Sequence, residues 1–253
     1  MLIGERRLKI ADLLGEKGNV VVSELSNLLL VTEETIRRDL EGLEKEGLLK
    51  RTYGGAVPIN KISLELSFKA RKIEHQEEKK AIGKVAAELI EDGDALMFDA
   101  STTALEIVKQ IGTKKGLTVI ANSLAVILEL IDRSEITLIS TGGTFHSRSF
   151  SYVGSLAEKG VINYHVDKLF LGAKGIAIAG PTDSYEAEAQ LKKTMVESAK
   201  ETILVVDSSK FNKIALVSIV PLEAINKVIT DKGISSEYKK LFSDQGIEVI
   251  IAS

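Results

Sequence analysis

A chain of 253 residues with 44% apolar and 27% charged side chains, 20 Gly and 3 Pro has a soluble, globular composition and the length of two domains rather than one. It holds no Cys, which excludes disulfide scaffolds, thiol catalysis and Cys-based zinc sites, and no run approaches the ~18 apolar residues of a membrane span. The net charge of −3 does not announce a nucleic-acid partner, so any DNA contact has to come from a local patch. The opening MLIGERRLKI has no long apolar stretch and is not a secretory signal, so a cytoplasmic location is expected.

Residues 1–58 read as three short helices and a hairpin. Leu8, Ala11 and Leu14 recur at helical spacing in a segment ending at Gly18. After Val20-Val21-Val22, Ser23 is the expected N-cap of a helix through Leu29. Thr32 caps a third helix in which Ile36, Leu40 and Leu43 repeat at i, i+4 and i+7 up to Gly47. LLKRTYGGAVP places β-formers on both sides of Gly54-Gly55, which reads as a hairpin. The sum is the plan of a winged helix-turn-helix.

Residues 59–78 are rich in Lys, Glu and Arg and read as a linker leading into a helix through Val85, Leu89 and Ile90. From Asp94 strands and helices alternate. The strand candidates are ALMFD (95–99), LTVIAN (117–122), ITLIST (136–141), KLFLGAK (168–174), TILVVD (202–207), KVITD (227–231) and IEVIIAS (247–253). Helices are expected over 103–111, around Ala125–Ile131 and across Glu186–Lys200. Near-continuous apolar strands between amphipathic helices imply a mostly parallel, Rossmann-like sheet covered on both faces. The expected fold is α/β, with a winged helix-turn-helix over 1–58 in front of an α/β domain over 79–253.

With Ile36, Leu40 and Leu43 inward, Glu34, Arg38 and Glu41 face out, flanked by Thr35 and Arg37. Arg bonds bidentately to guanine O6 and N7, and a helix in the major groove delivers it. Lys50, Arg51 and Tyr53 on the hairpin would meet flanking phosphates. Yet Glu34–Arg38 and Arg37–Glu41 are also i, i+4 pairs of an ordinary solvated helix, and residues 1–58 carry 9 basic against 10 acidic side chains. Spacing alone leaves DNA binding and a helical interaction module level.

In the second domain the loop Asp99-Ala100-Ser101-Thr102-Thr103 joins a strand to a helix at the carboxyl end of a parallel strand, where open α/β sheets bind ligands. Free backbone N–H groups and three hydroxyls there would cradle a phosphate. Taken alone, a plain helix cap by Ser101 or Thr102 is the simpler reading. Asn122-Ser123, Thr141-Gly142-Gly143-Thr144, Lys174 and Asp207-Ser208-Ser209-Lys210 follow other strands, and this convergence on one rim favours a binding site. There is no P-loop and no GxGxxG, and His75, His146 and His165 lack metal-ligand spacing, so no metal or cofactor is expected. The acidic start at Glu186 and Glu188 also suits any helix N-terminus.

The stretch from Glu5 to Val57 resembles, without a gap, the N-terminal domain of the DeoR family of bacterial transcription regulators. Its most specific parts are Glu24-Leu25-Ser26, Thr35-Ile36-Arg37-Arg38-Asp39-Leu40, Leu43-Glu44 and Gly54-Gly55-Ala56. Thr32 stands where Ser is usual and Tyr53 where His is usual; Thr also caps, and Tyr also reaches a phosphate. The resemblance implies DNA contact through Thr32, Glu34, Thr35, Arg37, Arg38, Lys50, Arg51 and Tyr53. DGDALMFDASTTALEI, STGGT, SYVG, DKLFLGAKGI, EAEAQLKKTM and VVDSSKF resemble the family's sensor domain, which is similar in fold to ribose-5-phosphate isomerase. By that similarity Asp99 and Ser101–Thr103 would hold a phosphorylated sugar, with Gly142, Gly143, Lys174, Glu188 and Lys210 around it. Ala100 stands where many members have Gly, which bears on the loop's geometry. The isomerases carry paired acidic residues after the strand that reads LFLGAK here, and Ala173-Lys174 in their place favours binding over turnover.

The implied function is a transcription regulator, a repressor, of double-stranded operator DNA under control of a phosphorylated sugar. A homo-dimer or homo-tetramer is expected, because repeated half-sites on B-DNA call for a two-fold protein. The alternatives are a sugar-phosphate isomerase-like enzyme with an accessory helical domain, and an interaction module in front of a degenerate enzyme.

Overall fold

The computed structural model describes residues 3–45, 49–58 and 68–253, and the chain divides into two compact units, 1–71 and 72–253. In the first unit α1 (Ile3–Lys17) leads through β1 (Val20–Val21) into α2 (Val22–Leu29), α3 (Glu33–Lys45), β2 (Leu49–Thr52) and β3 (Gly55–Pro58). The strands form an antiparallel sheet in the order β1-β3-β2, with Val20 opposite Ala56 and Lys50 opposite Val57. Ile10 and Leu14 of α1, Leu25 and Leu29 of α2, and Ile36, Leu40 and Leu43 of α3 close one core with Val20, Leu49 and Ala56. Ala11 is only half-buried.

Two expectations for this unit meet different outcomes. Thr32 does cap α3, its Oγ1 accepting from Thr35 N at 3.3 Å. Ser23 does not cap α2: the helix begins at Val22, two residues before the Glu24 start that a Ser23 cap implies, behind Val21, which offers no side-chain cap. The start is set by strand pairing, since Val21 lies opposite Gly55 and Val22 N donates to Gly54 O at 2.8 Å. A Cβ on Gly55 would stand 1.8 Å from Val20 O, so only glycine allows this approach. Gly47 lies outside the described residues, as do 59–67 of the expected linker. The rest of that linker is largely helical, with α4 (Phe68–Ile73) and the first turn of α5 (Gln76–Glu88).

In the second unit the chain continues through β4 (Ala95–Phe98), α6 (Thr102–Val108), β5 (Thr118–Ala121), α7 (Leu124–Leu130) and β6 (Thr137–Ser140). A hairpin of β7 (Thr144–His146) and β8 (Ser151–Val153), α8 (Ser155–Lys159) and β9 (Val166–Leu171) follow. Then come β10 (Gly175–Ala177), β11 (Gly180–Asp183), α9 (Glu186–Glu197), β12 (Ala199–Val205), β13 (Val217–Ser218), β14 (Lys227–Asp231), α10 (Ser236–Asp244) and β15 (Glu248–Ala252). The seven strand candidates read from the sequence are the seven strands of one sheet, in the order β15-β14-β12-β9-β4-β5-β6. Every neighbouring pair is parallel. The expected α/β fold with a parallel sheet behind a helix-turn-helix is therefore what the chain adopts.

The helix expected to reach Lys200 ends at Glu197, because Ala199 already pairs with Val166 in the sheet. Five short strands escaped the sequence reading: the hairpin β7–β8 and the antiparallel group β10-β11-β13. The core holds Met97, Leu169, Leu171, Leu204 and Val228 from the sheet, Leu191 and Met195 from α9, and Tyr238 and Phe242 from α10. Gly83 lets α5 lie against α6, where a Cβ would come within 2.7 Å of the Glu106 backbone. No helix among the described residues is long and apolar enough to cross a membrane.

Candidate functional site

The first unit presents the outer face of α3 and the hairpin β2–β3. Glu34, Arg38, Glu41 and Lys45 are all exposed and lie at i, i+4, i+7 and i+11, opposite the buried Ile36, Leu40 and Leu43. Arg37 Nη2 donates to Glu33 Oε2 at 2.6 Å and Lys45 Nζ to Glu41 Oε1 at 2.7 Å, whereas Arg38 Nε stands 3.5 Å from Glu34 Oε1. The Lys45 hydrogen bond, helped by its charge, holds the Glu41 carboxyl below its usual range. Thr32 and Thr35 share a hydroxyl contact of 2.9 Å at the helix entry.

Asp39, on the same helix, is 1% exposed and faces the other way. It accepts from Arg6 through Nε and, at 3.3 Å, through Nη2, and lies 3.5 Å from Arg7 Nε. This clamp ties α3 to α1, and Gly42 makes room for it: a Cβ there would sit 2.2 Å from the Arg7 guanidinium. On the hairpin Lys50, Arg51 and Tyr53 are exposed, Tyr53 at the turn. Arg51 N donates to Glu44 Oε1 at 2.8 Å, which fixes the hairpin against the end of α3.

The second unit has its own candidate. The chain runs outward from β4 through β5 to β6, then returns to β9 on the other side of β4. The topological switch point thus lies between β4 and β9, where an open parallel sheet leaves a crevice at its carboxyl ends. Asp99 follows β4 and Gly172 follows β9. Asp99, wholly buried, accepts from Ser101 N and Gly172 N at 3.0 Å each and meets Lys192 Nζ at 3.0 Å. Its oxygens are committed to shaping the loop. Ser101 caps α6, accepting from Ala104 N at 3.1 Å, so the plain cap reading holds for this hydroxyl. Thr102 and Thr103 are buried beside it.

From this loop a chain of buried polar groups extends across the sheet end. Lys192 donates to Asp183 Oδ2 at 2.7 Å and to Gly172 O at 3.0 Å. Burial alone would push its ammonium down, but Asp183, Asp99 and Glu188 together outweigh that and hold it above the usual lysine range. Burial would raise Asp183, but Lys192 and Lys174 prevail and its carboxyl is pushed down to about 2. Lys174 Nζ stands 4.0 Å from Asp183 and 3.7 Å from Glu188, with its side chain 14% exposed. Glu188 Oε1 accepts from Ser151 Oγ at 2.7 Å, which is 2.7 Å from Ser149 Oγ, which is 2.8 Å from His146 Nδ1. The His146 and Tyr185 rings lie 4.3 Å apart.

Asp99, Ser101, Thr102, Thr103, Lys174 and Glu188 are therefore brought together. Gly142 and Gly143 sit where β6 turns into the hairpin, with φ of 63° and 107°, and Gly143 packs against Val153 and Ala157. Lys210 belongs to a neighbouring group: its Nζ is 3.2 Å from Ser209 Oγ and 3.7 Å from Asp207, beyond the end of β12. Asn122 and Ser123 serve the fold, Asn122 donating to Tyr152 O at 3.2 Å and Ser123 capping α7.

Sequence reasoning missed Asp183, Lys192, Ser149, Ser151, His146 and Tyr185. A signal for Lys192 existed. Glu188, Leu191, Lys192 and Met195 repeat at i, i+3, i+4 and i+7, so two charges lie on the apolar stripe of α9, and all four side chains are buried.

A winged helix-turn-helix joined to a parallel α/β unit with a cluster of buried charge at its switch point is the build of a two-domain DNA-binding regulator. The comparisons with known proteins agree. Residues 6–61 match the family model described as a DeoR-like helix-turn-helix domain, and residues 74–232 the DeoR C terminal sensor domain. The chain belongs to the DeoR family of transcriptional regulators. It is 43% identical over 98% of its length to the HTH-type transcriptional regulator YulB of Bacillus subtilis, covering 96% of that protein. It is 37% identical to GolR of Listeria innocua over 98% of each chain, and 34% identical to the transcriptional repressor AccR of Agrobacterium fabrum over 90% of each. Among solved structures, ribose 5-phosphate isomerase A from Methanocaldococcus jannaschii aligns over 55% of each chain at 19% identity and a TM-score of 0.41.

Proposed function

We propose that the protein is a repressor of a sugar-metabolism operon, acting as a cytoplasmic homo-dimer or homo-tetramer, with no cofactor, and controlled by a phosphorylated sugar bound in the crevice between β4 and β9. In this reading α3 enters the major groove with Glu34, Thr35, Arg37 and Arg38, Thr32 orders the helix entry, and Lys50, Arg51 and Tyr53 hold phosphates. The observation that carries the effector reading is the cluster of buried charge at the switch point. Lys174 Nζ stands 4.0 Å from Asp183 and 3.7 Å from Glu188, in the charge cluster that Lys192 links to Asp99 at the start of the Ser101–Thr103 loop. Lys174 and Lys210 supply charge for a phosphate, Glu188 accepts sugar hydroxyls, and Asp99 with Gly142 and Gly143 shapes the loops. A carboxyl held at about 2, as Asp183 is, makes a poor base at neutral pH, which supports binding over an isomerase reaction.

The test is a thermal-shift screen of the full chain with pentose and hexose phosphates and their neutral sugars, followed by product analysis and DNA binding. At a hundredfold excess over Kd a true effector adds about 2.7 kcal/mol to the stability of the second unit. A phosphorylated sugar should raise Tm, change affinity for the protein's own upstream DNA and remain chemically unaltered, and Lys174→Ala should weaken the response. Equal shifts from neutral sugars would remove the phosphate from the proposal, and turnover would restore the enzyme reading.

A further inference from the structure

The outermost line of α3 alternates in charge: Glu34, Arg38, Glu41 and Lys45. The pair Glu41–Lys45 is closed at 2.7 Å, and so is Glu33–Arg37 on the flank at 2.6 Å. The pair Glu34–Arg38 stays open at 3.5 Å, with the Arg38 side chain 78% and the Glu34 side chain 64% exposed. These two therefore have the most freedom to exchange their mutual contact for another. They also lie in the first turns of the helix, the part of a recognition helix that meets base edges. A carboxylate there cannot donate, and phosphates, guanine O6 and N7 and thymine O4 all repel it. The cytosine N4 amino group is the major-groove donor it fits; adenine N6 comes with the N7 acceptor beside it.

We propose that Glu34 is a specificity-determining residue of this regulator, accepting from a cytosine N4 amino group while Arg38 donates to a guanine one or two base steps away. The inference rests on the reading that α3 lies in the major groove. Residues four apart are separated by about 6 Å along a helix, close to two base steps of 3.4 Å, so a neighbouring guanine is within Arg38's reach when Glu34 meets cytosine. Keeping the pair together in the groove leaves neither charge uncompensated. A wrong base opposite Glu34 leaves an anion facing an acceptor, so the carboxylate discriminates mainly by rejecting.

The experiment is selection of the full-length protein, and of its variants, on duplex DNA with a randomised core, scored base by base. The wild type should enrich a cytosine within two steps of a guanine. Glu34→Ala should flatten the cytosine preference about 5- to 150-fold, the equivalent of 1–3 kcal/mol, and leave the guanine intact. Arg38→Ala should do the reverse, and Glu41→Ala should alter neither. Glu34→Gln should move the preference from cytosine to adenine, because an amide bonds adenine N6 and N7 together. All positions lie on the surface, so circular dichroism should show wild-type helicity. Unchanged base preferences in folded Glu34→Ala, or no adenine shift in Glu34→Gln, would overturn the assignment while leaving the groove reading in place. Failure of the wild type to enrich any sequence would overturn both.

Discussion

Lys192→Met tests whether the charge cluster behind the crevice is a structural staple. The side chain keeps its length and loses its charge, while Asp99 and Asp183, at 3.0 and 2.7 Å from the ammonium, stay buried and lose their common partner. Removing one member of a buried ion pair costs about 3–5 kcal/mol, a large share of the roughly 5–15 kcal/mol that holds a domain together. The pH profile carries the sharper signature. In the wild type the Asp183 carboxyl is lowered from 3.8 to about 2, so it contributes about 2–3 kcal/mol at neutral pH. A depressed carboxyl stabilises above its unfolded pKa, and that contribution is lost as pH falls from about 4 towards 2. Without Lys192, burial still opposes the Asp183 carboxylate while Lys174 and the Tyr185 N–H still favour it, so its carboxyl is held down less than in the wild type. The variant therefore loses less of this contribution than the wild type as pH falls from about 4 towards 2. Urea unfolding of the full chain between about pH 5 and 2, following the transition of the larger unit, should give a shallower slope for the variant than for the wild type. A loss under about 1 kcal/mol with parallel profiles would mean that water screens the cluster and the staple does not exist.

Asp39→Ala should destabilise the first unit by about 3 kcal/mol and abolish specific DNA binding, since it removes the buried carboxylate that ties α3 to Arg6 and Arg7 of α1; differential melting of the two units against DNA affinity checks this. Leu30 is 90% exposed at φ 53° and ψ 45°, so Leu30→Asn should be neutral to stabilising, by up to about 1 kcal/mol in chemical denaturation, and a loss would show that this leucine makes a contact of its own. Lys50→Ala and Arg51→Ala should each weaken binding to all DNA sequences alike and reduce the slope of log affinity against log salt by about one, read by titration at several salt concentrations.

What could be read from the sequence and what could not separate along physical lines. The seven parallel strands were legible because strands buried on both faces become apolar runs, as in ALMF and TILVV, and turns punctuate them. Strands β7, β8, β10, β11 and β13 span two to four residues each, too few for any period to show. They matter out of proportion, since they deliver His146, Ser151 and Asp183 to the site. Ser23 illustrates a local preference overruled: a good capping residue stands one place inside a helix whose start is dictated by the pairing of Val21 with Gly55. Lys192 illustrates the converse. Its i, i+4 spacing from Glu188 imitates a solvated surface pair, and only its register with Leu191 and Met195 betrays that it points inward.

The charge pattern of the DNA-binding unit bears on how a protein of net charge −3 can select a site at all. Arg37, Arg38, Lys45 and Arg51 each stand within 4 Å of a glutamate of the same unit. When such a cation moves to a phosphate it leaves its carboxylate behind, near the polyanion, so each contact is worth less than one made by an unpaired cation. Affinity for arbitrary DNA, which is mostly phosphate neutralisation, is held down accordingly. Contacts to base edges need not suffer the same loss where the carboxylate itself finds a donor, as a cytosine amino group would be for Glu34. A regulator searches among a vast excess of competing sites, and occupancy depends on the ratio of specific to non-specific binding. Lowering the denominator serves that ratio as well as raising the numerator, and it leaves the complex easier to dissociate when an effector shifts the balance by the few kcal/mol of an ordinary allosteric coupling.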